Sequence, residues 1–200
     1  MNGRQQGLLG EGGAGEPADD AAAGDGQAAV GEGDDLEGLA QESAASLVTD
    51  GGVLDVPGRE PARALRDEVF PGLLRAFADA GGRRLRLLWP VEGAWHRVVL
   101  RRHRPGPGAV TDTVLVVEAP TELPYGLSPR ELEVLTRAAT GQTNQAIAQA
   151  LYLSPRTVHT HVEHLLRKTG AASRAEATAL AVRDGLLRPA PDQVIRFVER

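Results

Sequence analysis

"SPRTVHTHVEHLLRK" (residues 154–168) places three histidines within six residues of a segment whose apolar residues recur at helical spacing. At about 100° per residue, with Val158 as reference, Val162, Leu165, Leu166 and Thr169 gather within roughly 50° of one direction. They form a stripe expected to be buried. Arg156, Thr160, Glu163 and Arg167 fall on the opposite side within about 60°, a continuous exposed ridge. The histidines do not converge. His159 and His161 lie on opposite flanks, and His164 sits between His161 and the ridge.

A zinc site needs three or four ligands aimed at one point. Only His161 and His164 are near each other here, and Glu163 points away from His161. The chain has no cysteine, and no Ser or Asp is spaced to form a relay with these histidines. The segment therefore predicts no catalytic residue, no metal and no cofactor. The ridge is better suited to reading a surface. Arg can fork onto guanine or grip a phosphate, Thr can meet a phosphate or a thymine methyl, and Glu can accept from cytosine.

Strong helix punctuation surrounds this segment. "SPRE" (128–131) predicts a capping box with Ser128 as N-cap and Pro129 in the first turn. The helix it opens buries Leu132, Leu135 and Ala139 and ends at Gly141. Thr143 opens a short helix, "NQAIAQAL" (144–151), and Ser154-Pro155 opens the ridge-bearing one. "SRAE" (173–176) predicts a second capping box and a last helix, "RAEATALAVRDG". A short helix, a "YLSP" turn and a longer helix make a helix-turn-helix, whose second helix enters the major groove by its N-terminal end.

Upstream, three strand-like runs, "RLRLLW" (84–89), "WHRVVLRRH" (95–103) and "VTDTVLVVE" (110–118), predict a three-stranded antiparallel meander. Its arginines read as a solvated outer face. Helical spacing in 61–80 is interrupted by Pro71, which predicts two helical pieces or a kink at that residue. Residues 1–55 hold twelve Asp/Glu against one Arg, a net −11, whereas 56–126 and 127–200 each carry +3. The overall charge of −5 thus joins an acidic tail to a basic remainder and excludes no polyanionic partner. Residues 10–46 are poor in branched aliphatics, and the whole segment 1–55 is expected to be mostly disordered, with a short helix around 35–48. No apolar run approaches the ~20 residues that span a bilayer, which predicts a soluble, cytoplasmic protein. "DQVIRFVER" (192–200) predicts a short amphipathic helix with Val194, Ile195 and Val198 on one side.

The stretch 125–187, through "LSPRELEVL", "G-x-T-N-x-x-I-A", "L-S-P-R-T-V-x-x-H" and "S-R-A-E-A", closely resembles the LuxR-type (GerE-like) helix-turn-helix of bacterial transcription regulators. The resemblance covers about a third of the chain. It implies a recognition helix at 154–168 with His159, Thr160 and Glu163 facing the bases. Phosphate contacts are implied at Asn144 and Thr157, with Arg156, Arg167 and Lys168 as additions. The helix at 173–185 resembles the family's dimerisation helix, which implies a homodimer touching through Ala175, Ala179, Val182 and Arg183. Double-stranded DNA is the implied partner, RNA polymerase a further candidate, and no enzymatic activity is expected. Four residues depart from the family's habits. Ala146 stands where Glu often closes a box with Thr143, His159 where a basic residue is frequent, Glu163 where a polar or basic one is, and Thr169 where leucine is usual.

The hairpin before "YGLSPREL" resembles the last strands of a GAF- or PAS-like sensor. No phosphoreceiver is expected, since no strand-end Asp pair precedes a later Lys. The expected fold is α+β. It comprises an acidic tail (1–55), a helix-plus-meander region (56–121), an all-α four-helix DNA-binding domain (122–188) and a C-terminal extension (189–200). The leading expectation is a sequence-specific transcriptional regulator. The alternative is an interaction protein that uses the same fold and the acidic tail without specific DNA binding.

Overall fold

A computed structural model describes residues 43–103 and 113–200, all within one compact unit. Alternating apolar residues build its sheet. The strands are β1 (Ala44–Thr49), β2 (Gly52–Asp55), β3 (Arg84–Val91), β4 (Ala94–His103) and β5 (Thr113–Pro120), all antiparallel in the order β2-β1-β5-β4-β3. The β3–β4 turn has only Glu92 and Gly93, both at positive φ, the geometry that two-residue hairpins favour.

Five strands replace the expected three-stranded meander, because part of the supposed tail is structured. Ala44–Val48 pairs with Val114–Glu118 of β5, and β2 folds back onto β1. An isolated hairpin of this size is marginal in water; here it is held by β5 and by the layer above. Ser46 Oγ accepts the Ala62 N–H at 3.0 Å, and the Glu118 carboxylate, 1% exposed, accepts the Arg63 and Ala64 N–H groups at 2.8 Å each. The helix expected around 35–48 is thus contradicted over 44–48, while residues 1–42 lie outside the described part.

Helix α1 (Phe70–Asp79) covers the sheet with Phe70, Leu73, Leu74 and Phe77. Pro71 occupies its first turn, where a missing N–H costs nothing. The break between the helical pieces therefore falls upstream of Pro71. A 3-10 turn at Arg63–Arg66 precedes it, and Asp67 Oδ1 accepts from the Val69 and Phe70 N–H groups at 2.9 and 3.0 Å.

Four α-helices follow: α2 (Pro129–Ala139), α3 (Asn144–Leu151), α4 (Pro155–Thr169) and α5 (Arg174–Asp184). 3-10 turns at Pro124–Gly126 and Pro191–Arg196 bracket them; the first was not expected, and the second falls where a short C-terminal helix was expected but is 3-10 in form. In the C-terminal turn Val194 is buried but Ile195 is exposed, and Phe197 is buried instead. The segment packs on α1. Gly82 makes room for it, since a Cβ there would stand 2.8 Å from that of Val198.

Helices and sheet share one buried apolar cluster. The Leu88 N–H of β3 donates to the Leu187 carbonyl at 2.8 Å, and Arg83 N–H donates to Glu199 O at 2.6 Å. The edge strand is therefore partly covered, as such edges need to be. The Arg188 guanidinium lies 5.6 Å from the Trp89 ring centroid and donates to Glu133 at 3.1 Å. Its backbone N–H donates to Thr136 Oγ1 at 2.9 Å. Trp89 in turn meets Phe70 edge-on at 5.3 Å.

Candidate nucleic-acid interface

Local chemistry fixes each helix start. Ser128 Oγ accepts the Glu131 N–H at 3.2 Å and Glu131 Oε2 accepts the Ser128 N–H at 2.7 Å, a complete capping box. Thr143 caps α3 at Ala146 N–H and Ser154 caps α4 at Thr157 N–H, at 3.2 and 3.0 Å. Helix α5 departs from expectation. Ser173 caps Glu176 N–H at 3.2 Å, but the Glu176 carboxylate accepts from Ala172 N–H, so the reciprocal bond bypasses the N-cap residue.

Helix α4 is seated through Val158, Val162, Leu165 and Thr169, with Leu166 half-buried at the margin of the stripe. Burial of each aliphatic side chain is worth about 1.5–3 kcal/mol. Thr169 is accommodated because its hydroxyl donates to the Leu165 carbonyl at 2.7 Å, leaving its methyl to pack. Gly170, at φ 70°, ends the helix in the left-handed conformation that glycine adopts freely.

Arg156, Thr157, His159, Thr160, Glu163, His164 and Arg167 are exposed. The fold thus brings most of the expected contact residues onto one open surface. Within it His159 Nε2 lies 3.4 Å from Glu163 Oε1, one helical turn away. Two expected base-facing side chains therefore orient each other. His161 is half-buried, and His164 Nδ1 lies 3.9 Å from Glu131. Among the described residues no three His, Asp or Glu side chains form a metal-sized cluster.

Two expected contacts are engaged within the fold. Lys168 Nζ donates to Glu131 Oε2 and to the Gly126 carbonyl, both at 2.7 Å. Burial alone would raise the Glu131 pKa, but hydrogen bonds from Lys168 and Ser128, with the lysine charge, hold it below the ordinary 4.5. Asn144 Oδ1 accepts from Arg174 at 2.7 Å, and Arg174 also donates to the Gln142 carbonyl. Burial lowers the Arg174 pKa from its ordinary value. This strap from α5 to the start of α3 was not anticipated, because its partners lie 30 and 32 residues apart. Tyr152 was also missed. It closes α3 in a left-handed conformation and is 96% exposed at the turn before α4. An aromatic in the "LYLS" turn was its sequence signal.

Ala175, Ala179, Val182 and Arg183 are exposed on α5, while Ala177 and Ala181 face the domain. The expected dimerisation residues thus share one exposed face of α5 opposite its buried side.

Residues 126–181 match the model of the GerE family, bacterial regulatory proteins of the luxR family, and form a helix-turn-helix domain of that type. The probable transcriptional regulatory protein NarL of Mycobacterium tuberculosis (strain ATCC 25618 / H37Rv) is 54% identical over 61 residues, which cover 30% of this chain and 28% of that protein. An uncharacterized transcriptional regulatory protein of Bacillus subtilis (strain 168), YhcZ, is 47% identical over 62 residues, 31% of this chain and 29% of that one. The chain thus spans under a third of the length of these relatives. A solved structure of the Vibrio cholerae VqmA dimer without target DNA aligns over 59% of this chain and 63% of its own at 22% identity, with a TM-score of 0.32. The family and the named relatives are transcription regulators, not enzymes. Among the described residues no helix is long and apolar enough to cross a membrane.

Proposed function

We propose that the chain is a sequence-specific transcriptional regulator that binds double-stranded DNA as a homodimer, laying the N-terminal half of α4 in the major groove. The observation that carries this reading is the exposed row Arg156, Thr160, Glu163 and Arg167 on a helix fixed by its caps and its buried stripe. Arg156 and Arg167 grip phosphates from the ridge, with Thr157 and Asn144 beside them. His159, Thr160 and Glu163 meet base edges. Lys168 joins from the flank while it anchors α4 to α2. Helix α5 supplies the twofold contact through Ala175, Ala179 and Val182, with Arg183 at its margin. In this reading residues 122–188 do the DNA binding, the sheet region 56–121 is a GAF- or PAS-like remnant, and RNA polymerase is a further partner.

Fluorescence anisotropy with two unrelated duplexes tests the contact face. Arg156→Ala and Arg167→Ala should weaken both complexes alike and lower the salt slope by about 1 each. Unchanged affinity in both variants would remove the assigned face. Failure of the whole protein to bind any duplex at low salt would favour an interaction protein that uses the fold without DNA.

A further inference from the structure

Arg174 is the first residue of α5, seated by the Ser173 cap and by Ala177 and Ala181, which are buried against the domain. From this seat its half-buried side chain reaches the start of α3. Nη1 donates to Asn144 Oδ1 at 2.7 Å, and Nη2 donates to the Gln142 carbonyl. Both bonds come from one planar fork, so the Asn144 side chain is fixed together with the backbone beside it.

That contact removes an ambiguity built into every asparagine. Its amide carries an acceptor oxygen and a donor NH2 of nearly the same shape, and half a turn about the last bond exchanges them. A guanidinium has five donors and no acceptor. The atom that meets Arg174 must therefore be the oxygen, and the NH2 group is turned away from it. Asn144 is itself half-buried, and among the described residues nothing accepts from its Nδ2.

The consequence is chemical selectivity. Asparagine reads adenine with both ends of its amide at once, accepting from N6 and donating to N7. With Oδ1 engaged by Arg174, Asn144 has only donors left to offer. Two N–H groups without an acceptor suit a phosphate oxygen, which only accepts, and single out no base.

We infer that Arg174 is a positioning residue for DNA: by holding Asn144 Oδ1 it commits the Asn144 amide to a backbone phosphate and bars it from reading a base. This role presupposes the DNA binding proposed above, and it draws in a residue of α5 that lies outside the expected contact set.

Fluorescence anisotropy with two unrelated duplexes tests it, with thermal unfolding of every variant as a control on the fold. Asn144→Asp still offers Arg174 an oxygen, now with a charge that favours both the ion pair and the first turn of α3. Its melting temperature should match or exceed the parent's. Its affinity for both duplexes should nevertheless fall about tenfold or more, because a carboxylate replaces the donor at the phosphate. Unchanged affinity in this stable variant would overturn the inference.

Arg174→Met and Asn144→Ala, singly and together, supply a double-mutant cycle. Loss of the Arg174 charge weakens binding equally with or without the Asn144 amide, so it cancels, and what remains is positioning. The loss caused by Asn144→Ala should be at least about threefold smaller in the Arg174→Met background than in the parent. Equal losses would make Arg174 a structural strap alone and overturn the proposal. So would a shift in base preference for Asn144→Ala, read with single-base variants of one duplex. A parent that binds no duplex would remove the DNA-binding reading and this role with it, whereas a parent that binds beside an equally tight Asn144→Asp would remove this role alone.

Discussion

Lys168 Nζ lies 2.7 Å from Glu131 Oε2, joining the last turn of α4 to the first turn of α2. Glu131 is 4% exposed and also caps Ser128, so losing the ammonium leaves a buried carboxylate with one charge partner fewer. Because the lysine is partly exposed, the cost falls below that of breaking a fully buried pair. Lys168→Met should destabilise the protein by about 1–3 kcal/mol, measured by urea unfolding.

The same pair sets a dependence on acid. The folded pKa of Glu131 is held below the ordinary 4.5. Its stabilisation is therefore present above that value and lost as pH falls through the lowered folded value. The melting-temperature gap between the parent and Glu131→Gln should be constant near neutrality and shrink below about pH 4.5. A gap that stays constant to about pH 3 would show that the carboxylate is not stabilised in its charged form.

Gly185 tests the seat of the helices on the sheet. It ends α5 at φ 67°, and a Cβ there would stand 2.7 Å from the Arg86 Cβ and 3.3 Å from its carbonyl carbon. Gly170 has a similar φ of 70° with nothing within 4 Å. Gly170→Ala should cost about 1–2 kcal/mol through backbone strain alone. Gly185→Ala should cost clearly more and speed hydrogen exchange at the Leu88 amide, which bonds to Leu187. Equal costs would mean that the close approach to Arg86 carries no load.

Base reading predicts a different pattern from phosphate contact. Thr160→Ala or Glu163→Ala should change the preferred base at one or two positions by about 1–3 kcal/mol while leaving affinity for unrelated duplexes nearly unchanged. His159→Ala releases Glu163 from its 3.4 Å partner and should alter preference at the same positions as Glu163→Ala. Competition binding with single-base variants of the preferred duplex measures this.

The sequence disclosed what short-range chemistry controls. The caps at Ser128, Thr143 and Ser154, the stripe from Val158 to Thr169 and the β3–β4 turn all arise from residues within a few positions of each other. Contacts set by distant residues stayed hidden. Strand β1 exists because Ala44–Val48 finds β5 about seventy residues later, a pairing that the short run AASLVT does not announce by itself. The C-terminal turn buries Phe197 rather than Ile195 because α1 and Gly82 shape its seat. The strap from Arg174 to Asn144 and the anchoring of Lys168 on Glu131 are likewise tertiary. On α4 the exposed ridge was legible from helical angles, whereas the internal partners of the expected contact residues were not.

The proposed function has α4 read DNA sequence in a twofold assembly. Selection from a random duplex pool by the purified protein tests it most directly. The predicted result is enrichment of an inverted repeat whose half-sites lie about one helical turn apart, roughly 10 base pairs centre to centre, and its loss in a Thr160→Ala/Glu163→Ala variant. A pool that remains random after repeated rounds, with the protein folded throughout, would contradict it.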